Sequence, residues 1–269
     1  MTRSKAKVSA DLRPTPRELR WMAHIDRHGP QSSEFLYELT RVTHRCKDTS
    51  LRRLQTLREA GYLCLPKQQD QIAKADFNPY VYDLTAKGFE YLSYHQILER
   101  HTRPTGHWWH AFWVSSVSSA IEINARRAGL QYIPAARILA IKDVLMPIPL
   151  KKGTLIPDQL FAIKYPGGYL AFALEVDRGT EPVRSTSARK SLARSAQLYR
   201  EVLNEKLHQR HYGLKSNLKV VWVFMSEARE RQFQELSTTS TKLATTSVAG
   251  LAFPTLATVQ AASKDLLQF

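Results

Sequence analysis

Two nearly continuous apolar runs, "GYLAFALEVDRG" (168–179) and "LKVVWVFMS" (218–226), constrain the fold more than any other feature of the chain. A strand with one wet face alternates apolar and polar residues; runs without alternation belong to strands covered on both sides. Segments of helical period surround them: "HWWHAFWVSSVSSAIEINARRAG" (107–129), "TSARKSLARSAQLYREVLNEKL" (186–207) and "EARERQFQELS" (227–237). Strand character is read in "AARILAIKDVL" (135–145), "GTLIPDQLFAIKY" (153–165) and "GLAFPTLATV" (250–259), and the Ser/Thr-rich "STTSTKLATTS" (237–247) is read as a loop or helix end. Helices and strands in this order predict an α/β (α+β) sandwich, a mixed sheet flanked by helices.

The first hundred residues follow a different plan. "TPRELRWMAHIDRHG" places Leu19, Met22 and Ile25 on one helical face before Gly29-Pro30, and "SSEFLYELT" reads as a second short helix. In "DTSLRRLQTLREAGYLCL" a cap at Asp48, Thr49 or Ser50 opens a third helix that Gly61 ends. A short strand, a polar tip, the returning strand "YVYDLT" and a helix from Ala86 complete the segment. A polar break, "RHTRPTG" at 100–106, separates the two plans. The division expected is a basic disordered arm over 1–14, a first domain over 15–100 and a second over 107–269.

Charge narrows the function. The formal net charge is +15, and such an excess of Lys and Arg favours a polyanionic partner, because these side chains release counterions from a phosphate backbone. The two cysteines, Cys46 and Cys64, make neither a disulfide framework nor a zinc finger and fit a reducing cytoplasm. No run approaches the roughly 18 apolar residues that span a bilayer. No GxxxxGK[ST] or GxGxxG sequence suggests nucleotide hydrolysis.

Against this basic background Asp158, Glu175 and Asp177 stand out. Glu175 and Asp177 lie two apart on one strand and so share a face. The Pro166-Gly167-Gly168 turn folds the Asp158 strand back beside them. Carboxylates this close repel, so they form either a structural network with neighbouring cations or a site for a hard divalent ion. His107 and His110 form an H-x-x-H pair without a following glutamate, which favours packing or phosphate contact over metal binding. Tyr199, on a basic helix after the carboxylates, is either a surface packing residue or a nucleophile for phosphate.

Two resemblances follow from these residues. The phrase "SLRRLQTLREAGYL…VYDLTAKGFEYL" resembles winged helix-turn-helix domains, which implies that the third helix enters the major groove and the hairpin tip touches the backbone. It implies DNA contacts from Arg45, Lys47, Arg52, Arg53 and Arg58. "PDQLF" followed by a hairpin and "ALEVDRG" resembles the PD-(D/E)XK nuclease superfamily. That likeness implies Mg²⁺ or Mn²⁺ held by Asp158, Glu175 and the Val176 carbonyl. The lysine of the motif falls at Asp177, which is read as a third ligand or a base. The positive role passes to Lys190, Arg189 or Arg178, between which position does not choose. Arg178, Arg189 and Arg194 are read as backbone contacts, and Glu122 as an additional acidic residue of lower rank.

The whole arrangement, with "LIPDQLFAI…YLAFALEVDRGTEP" as its most specific part, resembles the replication-relaxation family, which includes MobC-type plasmid mobilisation relaxases. This implies a metal-dependent endonuclease that nicks or processes double-stranded DNA in mobilisation or replication. A second copy of the chain and other mobilisation or replication proteins are further candidate partners. The competing reading is a non-catalytic DNA-binding accessory factor or transcriptional regulator on a degenerate nuclease fold.

Overall fold

A computed structural model of the chain describes residues 12–43, 46–71, 79–98, 107–186, 190–236, 243–247 and 259. Most of the basic arm, the hairpin tip at 72–78, Arg45, Arg189 and most of the strand expected at 250–259 lie outside the described residues. The chain separates into two compact units, Met1–Arg100 and His101–Phe269. Among the described residues no helix is long and apolar enough to cross a membrane.

In the first unit α1 (Pro16–His28) opens on a capping box: the Thr15 hydroxyl accepts from the Glu18 N–H while the Glu18 carboxylate accepts from the Thr15 N–H. A two-residue strand, β1 (Gln31–Ser32), leads into α2 (Ser33–Leu39), and α3 (Lys47–Glu59) follows. The Trp21 indole N–H, which donates to the Leu36 carbonyl at 2.7 Å and the Thr40 hydroxyl at 2.9 Å, ties α1 to α2. Helix α3 starts earlier than the expected caps, with Cys46 at its N-cap and no side-chain capping bond; Asp48 instead lies in its first turn, where the helix dipole favours it. Strands β2 (Leu63–Cys64) and β3 (Val81–Leu84) form the predicted antiparallel pair. Strand β1 adds to it as an unpredicted third strand, giving the order β1-β3-β2. Helix α4 (Ala86–Tyr94) closes the unit over a core of Trp21, Met22, Ile25, Leu54, Leu57 and Leu92. Gly88 is required there, since a Cβ would lie 2.4 Å from the Tyr62 carbonyl oxygen.

The second unit begins with α5 (Trp108–Arg127), β4 (Gln131–Pro134) and α6 (Ala135–Leu139). The strand expected at 135–145 is therefore a short helix: Ala135 and Ile138, three apart, enter the core, while Ile141 and Leu145 are exposed. A small hairpin, β5 (Ile148–Leu150) and β6 (Gly153–Leu155), precedes the long pair β7 (Gln159–Tyr165) and β8 (Gly168–Asp177). Helices α7 (Leu192–Asn204) and α8 (Leu207–Tyr212), strand β9 (Leu218–Phe224), helix α9 (Glu227–Leu236) and strand β10 (Leu243–Ser247) complete the described elements. Strand β10 corrects the loop expected there: its β-branched threonines pair in parallel with β9 at the edge of the sheet.

The five-stranded sheet has the order β10-β9-β8-β7-β4, parallel from β10 to β8 and antiparallel from β8 to β4. Leu160, Ala173, Val220 and Trp222 pack against Ala196 and Tyr199 of α7 and Phe233 of α9. Helix α5 lies against β4, β7 and β8. Strand β8 is buried along its second half, as its unbroken apolar run predicts.

Candidate active site

Register builds the site. The turn Pro166-Gly167 joins β7 to β8 as a two-residue hairpin, and pairing runs from Tyr165↔Gly168 to Gln159↔Leu174. One step further along the ladder, Asp158 falls opposite Glu175, just beyond the end of β7. Asp158 Oδ2 accepts the Val176 N–H at 2.8 Å, which pins the carboxylate across the strand end. Its Oδ1 faces His110 Nε2 at 3.0 Å, from the first turn of α5.

Glu175 is buried, and its Oε1 accepts the Tyr199 hydroxyl at 2.5 Å. Burial, and then the neighbouring Asp158 charge, push the Glu175 carboxyl well above the usual carboxylate range, against the opposing pull of Lys190 and the Tyr199 hydrogen bond. Lys190 sits in the segment just before α7, not on the helix where it was expected, because Ser191 caps that helix by accepting the Arg194 N–H. Its ammonium pairs with Glu181 at 3.0 Å. Partial burial pulls Lys190 down, but the charges of Glu175, Asp158 and Glu181 outweigh it and hold the ammonium above its ordinary range. His110, Asp158, Glu175, Lys190 and Arg194 share a cavity of about 380 Å³. Chemically, two carboxylates that repel each other beside an open cavity could offer oxygens to a hard cation.

Asp177 follows a different course from the one expected. Arg229, in the first turn of α9, donates from Nε to Asp177 Oδ2 at 2.6 Å and from Nη2 to Oδ1 at 3.4 Å. Nη2 also reaches the Glu181 carbonyl, and the Gly179 N–H donates to Oδ1 at 3.2 Å. Both Asp177 oxygens are thus engaged, so the residue is the anionic half of a buried ion pair. Tyr199 is likewise corrected: fully buried, with its hydroxyl on Glu175 and its pKa well above the ordinary phenol value through burial and the Glu175 charge, it is not placed for attack on phosphate. Glu122 pairs with Arg126 one turn along α5 and is not among the residues lining the Asp158 cavity. Arg178 lines the small cleft that adjoins Asp158 and Glu175. Sequence reasoning missed the hold of His110 on Asp158, and it missed Arg229 altogether. Arg229 had a readable signal: a helix following a parallel neighbour starts near the carboxyl ends of the strands.

On α3, Lys47 and Arg52 are exposed, whereas Arg53 donates to Glu18 at 2.6 Å and is committed within the unit. Arg58 is half-buried on the same helix.

No curated protein and no solved structure matches the chain significantly. The family model described as replication-relaxation matches residues 22–218, from α1 to the first residue of β9 and through the whole Asp158–Glu175 hairpin. A match over that much of the chain shows its family: this protein belongs to the replication-relaxation family.

Proposed function

We propose that this protein is a metal-dependent DNA endonuclease of replication or mobilisation, with a winged helix-turn-helix in its first unit and a PD-(D/E)XK-like centre in its second. The observation that carries the reading is the placement of Asp158, Glu175 and Lys190 around one cavity, two repelling carboxylates at adjacent strand ends and a cation from the segment before α7. The donor set fits Mg²⁺ or Mn²⁺: both ligands are hard oxygens, and the Glu175 pKa is raised by burial and then by the Asp158 charge, a repulsion that a cation would offset. Asp158 and Glu175 would hold it. When bound, such an ion supplies Lewis acidity toward a phosphate oxygen and an acidified water.

The chain's own residues do the rest. Lys190, and not Asp177, takes the place of the lysine of the motif, its ammonium held protonated by three carboxylates and placed to stabilise charge at the phosphate. His110 holds Asp158 from the side opposite the Val176 amide, which fixes the carboxylate's orientation. Trp222 lines the small cleft beside Asp158 and Glu175, and its indole N–H is buried there without an acceptor, which suits a water. Tyr199 orients Glu175.

The direct test is nicking of supercoiled plasmid in Mg²⁺ or Mn²⁺. The expected result is conversion to open circles that EDTA stops, with Lys190→Ala slower by about 10²-fold, the usual size of losing one charge-stabilising donor. No nicking on any replication or transfer origin, with DNA binding intact, would assign the protein to the non-catalytic accessory class.

In the first unit, the order α1-α2-α3 followed by the β2–β3 hairpin, with Lys47 and Arg52 exposed on α3, supports duplex recognition by that helix. Lys47→Ala with Arg52→Ala is expected to lower the slope of log affinity against log salt by about 1.8, roughly 0.9 for each phosphate no longer neutralised. Arg53→Ala should act differently: it strips the partner from the buried Glu18 and costs about 2 kcal/mol of stability without a comparable change of slope. Fluorescence anisotropy across a salt series, alongside thermal melts, separates the two effects.

A further inference from the structure

A second cavity in the same unit, about 900 Å³ in volume, adjoins the Asp158–Glu175 cavity, and the two share Arg194 and Leu198 in their walls. Among the described residues its charged lining is Lys151, Lys152, Arg184, Arg194 and Arg200 against a single carboxylate, Glu201. The cations come from three different places, the β5–β6 turn, the segment after Glu181 and helix α7, which converge on one recess. Ser191, the N-cap of α7, and Ala193 of its first turn also line it, adding the positive end of that helix. Arg200 is fixed by a hydrogen bond from Nη2 to the Leu236 carbonyl at 2.9 Å, yet its Nε is buried and has no acceptor. A guanidinium held in place with an unused buried donor suits an anionic oxygen brought by a ligand.

We propose that this recess is the path of a single DNA strand continuing from the carboxylate pair, with its phosphates held by Lys152, Arg184, Arg194 and Arg200. The proposal rests on the endonuclease reading for the strand's origin but on its own residues for binding. Lys151 contributes less, because Glu205 takes its ammonium at 2.8 Å. The recess has the volume of a small-ligand pocket, into which a duplex does not enter. Among the described residues its apolar lining is aliphatic, Leu198 and Leu236 with alanines, and offers no aromatic platform for a base. Contact is therefore to phosphate, and the strand is held without regard to sequence.

The test is binding of a fluorescent oligonucleotide, single-stranded or as a duplex of equal length, to the full chain in EDTA, where no cleavage occurs. Lys152 and Arg184 are exposed, so Lys152→Ala/Arg184→Ala leaves the core intact, which equal melting temperatures would verify. The double variant is expected to weaken single-strand binding about tenfold and lower the salt slope by about 1.4, near 0.7 for each phosphate, with duplex affinity unchanged. Arg231→Ala, an exposed cation on α9 away from the recess, should match wild type. Unchanged single-strand affinity in the double variant, or an equal loss on duplex, overturns the strand path. Because the readout needs no metal, wild-type nicking with unchanged strand binding removes this proposal alone, whereas selective loss of strand binding upholds it whatever the nicking assay shows.

Discussion

Glu175→Gln is expected to reduce plasmid nicking by at least about 10²-fold while making the metal-free protein more stable. The gain in stability comes from the burial of this carboxyl. The wild-type carboxylate is out of water, beside Asp158, and its pKa is pushed well above the usual range. Between the unfolded value and that raised value the folded state binds more protons than the unfolded one, so stability falls as pH rises through this window. Glutamine is neutral at every pH; its carbonyl can still accept from Tyr199, and its amide can donate toward Asp158. The melting temperatures of variant and wild type in EDTA should therefore be close at about pH 4 and diverge toward about pH 8, with the variant higher by about 2–4 °C for each kcal/mol relieved. Nicking should fail at every pH because one oxygen ligand is lost. A variant that melts below wild type at the alkaline end would show that Glu175 is stabilising, and a variant that still nicks would remove it from the metal site. Asp158→Asn should share the loss of nicking.

Arg229→Ala should cost about 3 kcal/mol, the penalty of leaving a buried charge without its partner. Asp177 is 3% exposed at the side chain and Arg229 16%, so the pair is held largely out of water. Asp177→Asn combined with Arg229→Gln should recover most of that loss, because neither half of the pair then remains charged. Asp177→Lys is the informative companion. By sequence it restores the lysine of the PD-(D/E)XK motif; by structure it sets an ammonium against Arg229. Its expected outcome is a destabilised protein with no gain in nicking, read by chemical denaturation and the plasmid assay together. A stable, faster Asp177→Lys variant would mean that the motif position, and not Lys190, is where the cation belongs.

The covered strands were legible in the sequence because burial on both faces leaves an unambiguous mark, an apolar run without alternation. The pairing of Asp158 with Glu175 was legible for a related reason: Pro166-Gly167 admits only a tight turn, and a tight turn sets register. What failed was local. Residues 135–145 have mixed apolar spacing over a short span, and two core side chains three residues apart decided for helix. Residues 243–247 (LATTS) show no clear hydrophobic pattern, and on an edge strand backbone pairing with β9 outweighs it. His110 was hidden because it reaches the site from an element distant in sequence, and the periodicity of a helix says nothing about what its first turn faces; for Arg229 the signal was topological, the start of α9 near the carboxyl ends of the parallel strands. Lys190 was one of three alternatives; its position beside Glu181 depends on Ser191 capping α7, which leaves Lys190 in the segment before the helix.

The two-residue hairpin has one more consequence. Its turn lies about eight residues along the strand from Asp158, roughly 25 Å away at strand rise. Yet because successive side chains alternate, a single residue added to one strand near Pro166-Gly167 would slip the ladder and send Asp158 to the opposite face from Glu175. The chain thus brings its two acids together by counting: one residue gained or lost in a strand beside a distant surface turn decides whether Asp158 and Glu175 meet at all.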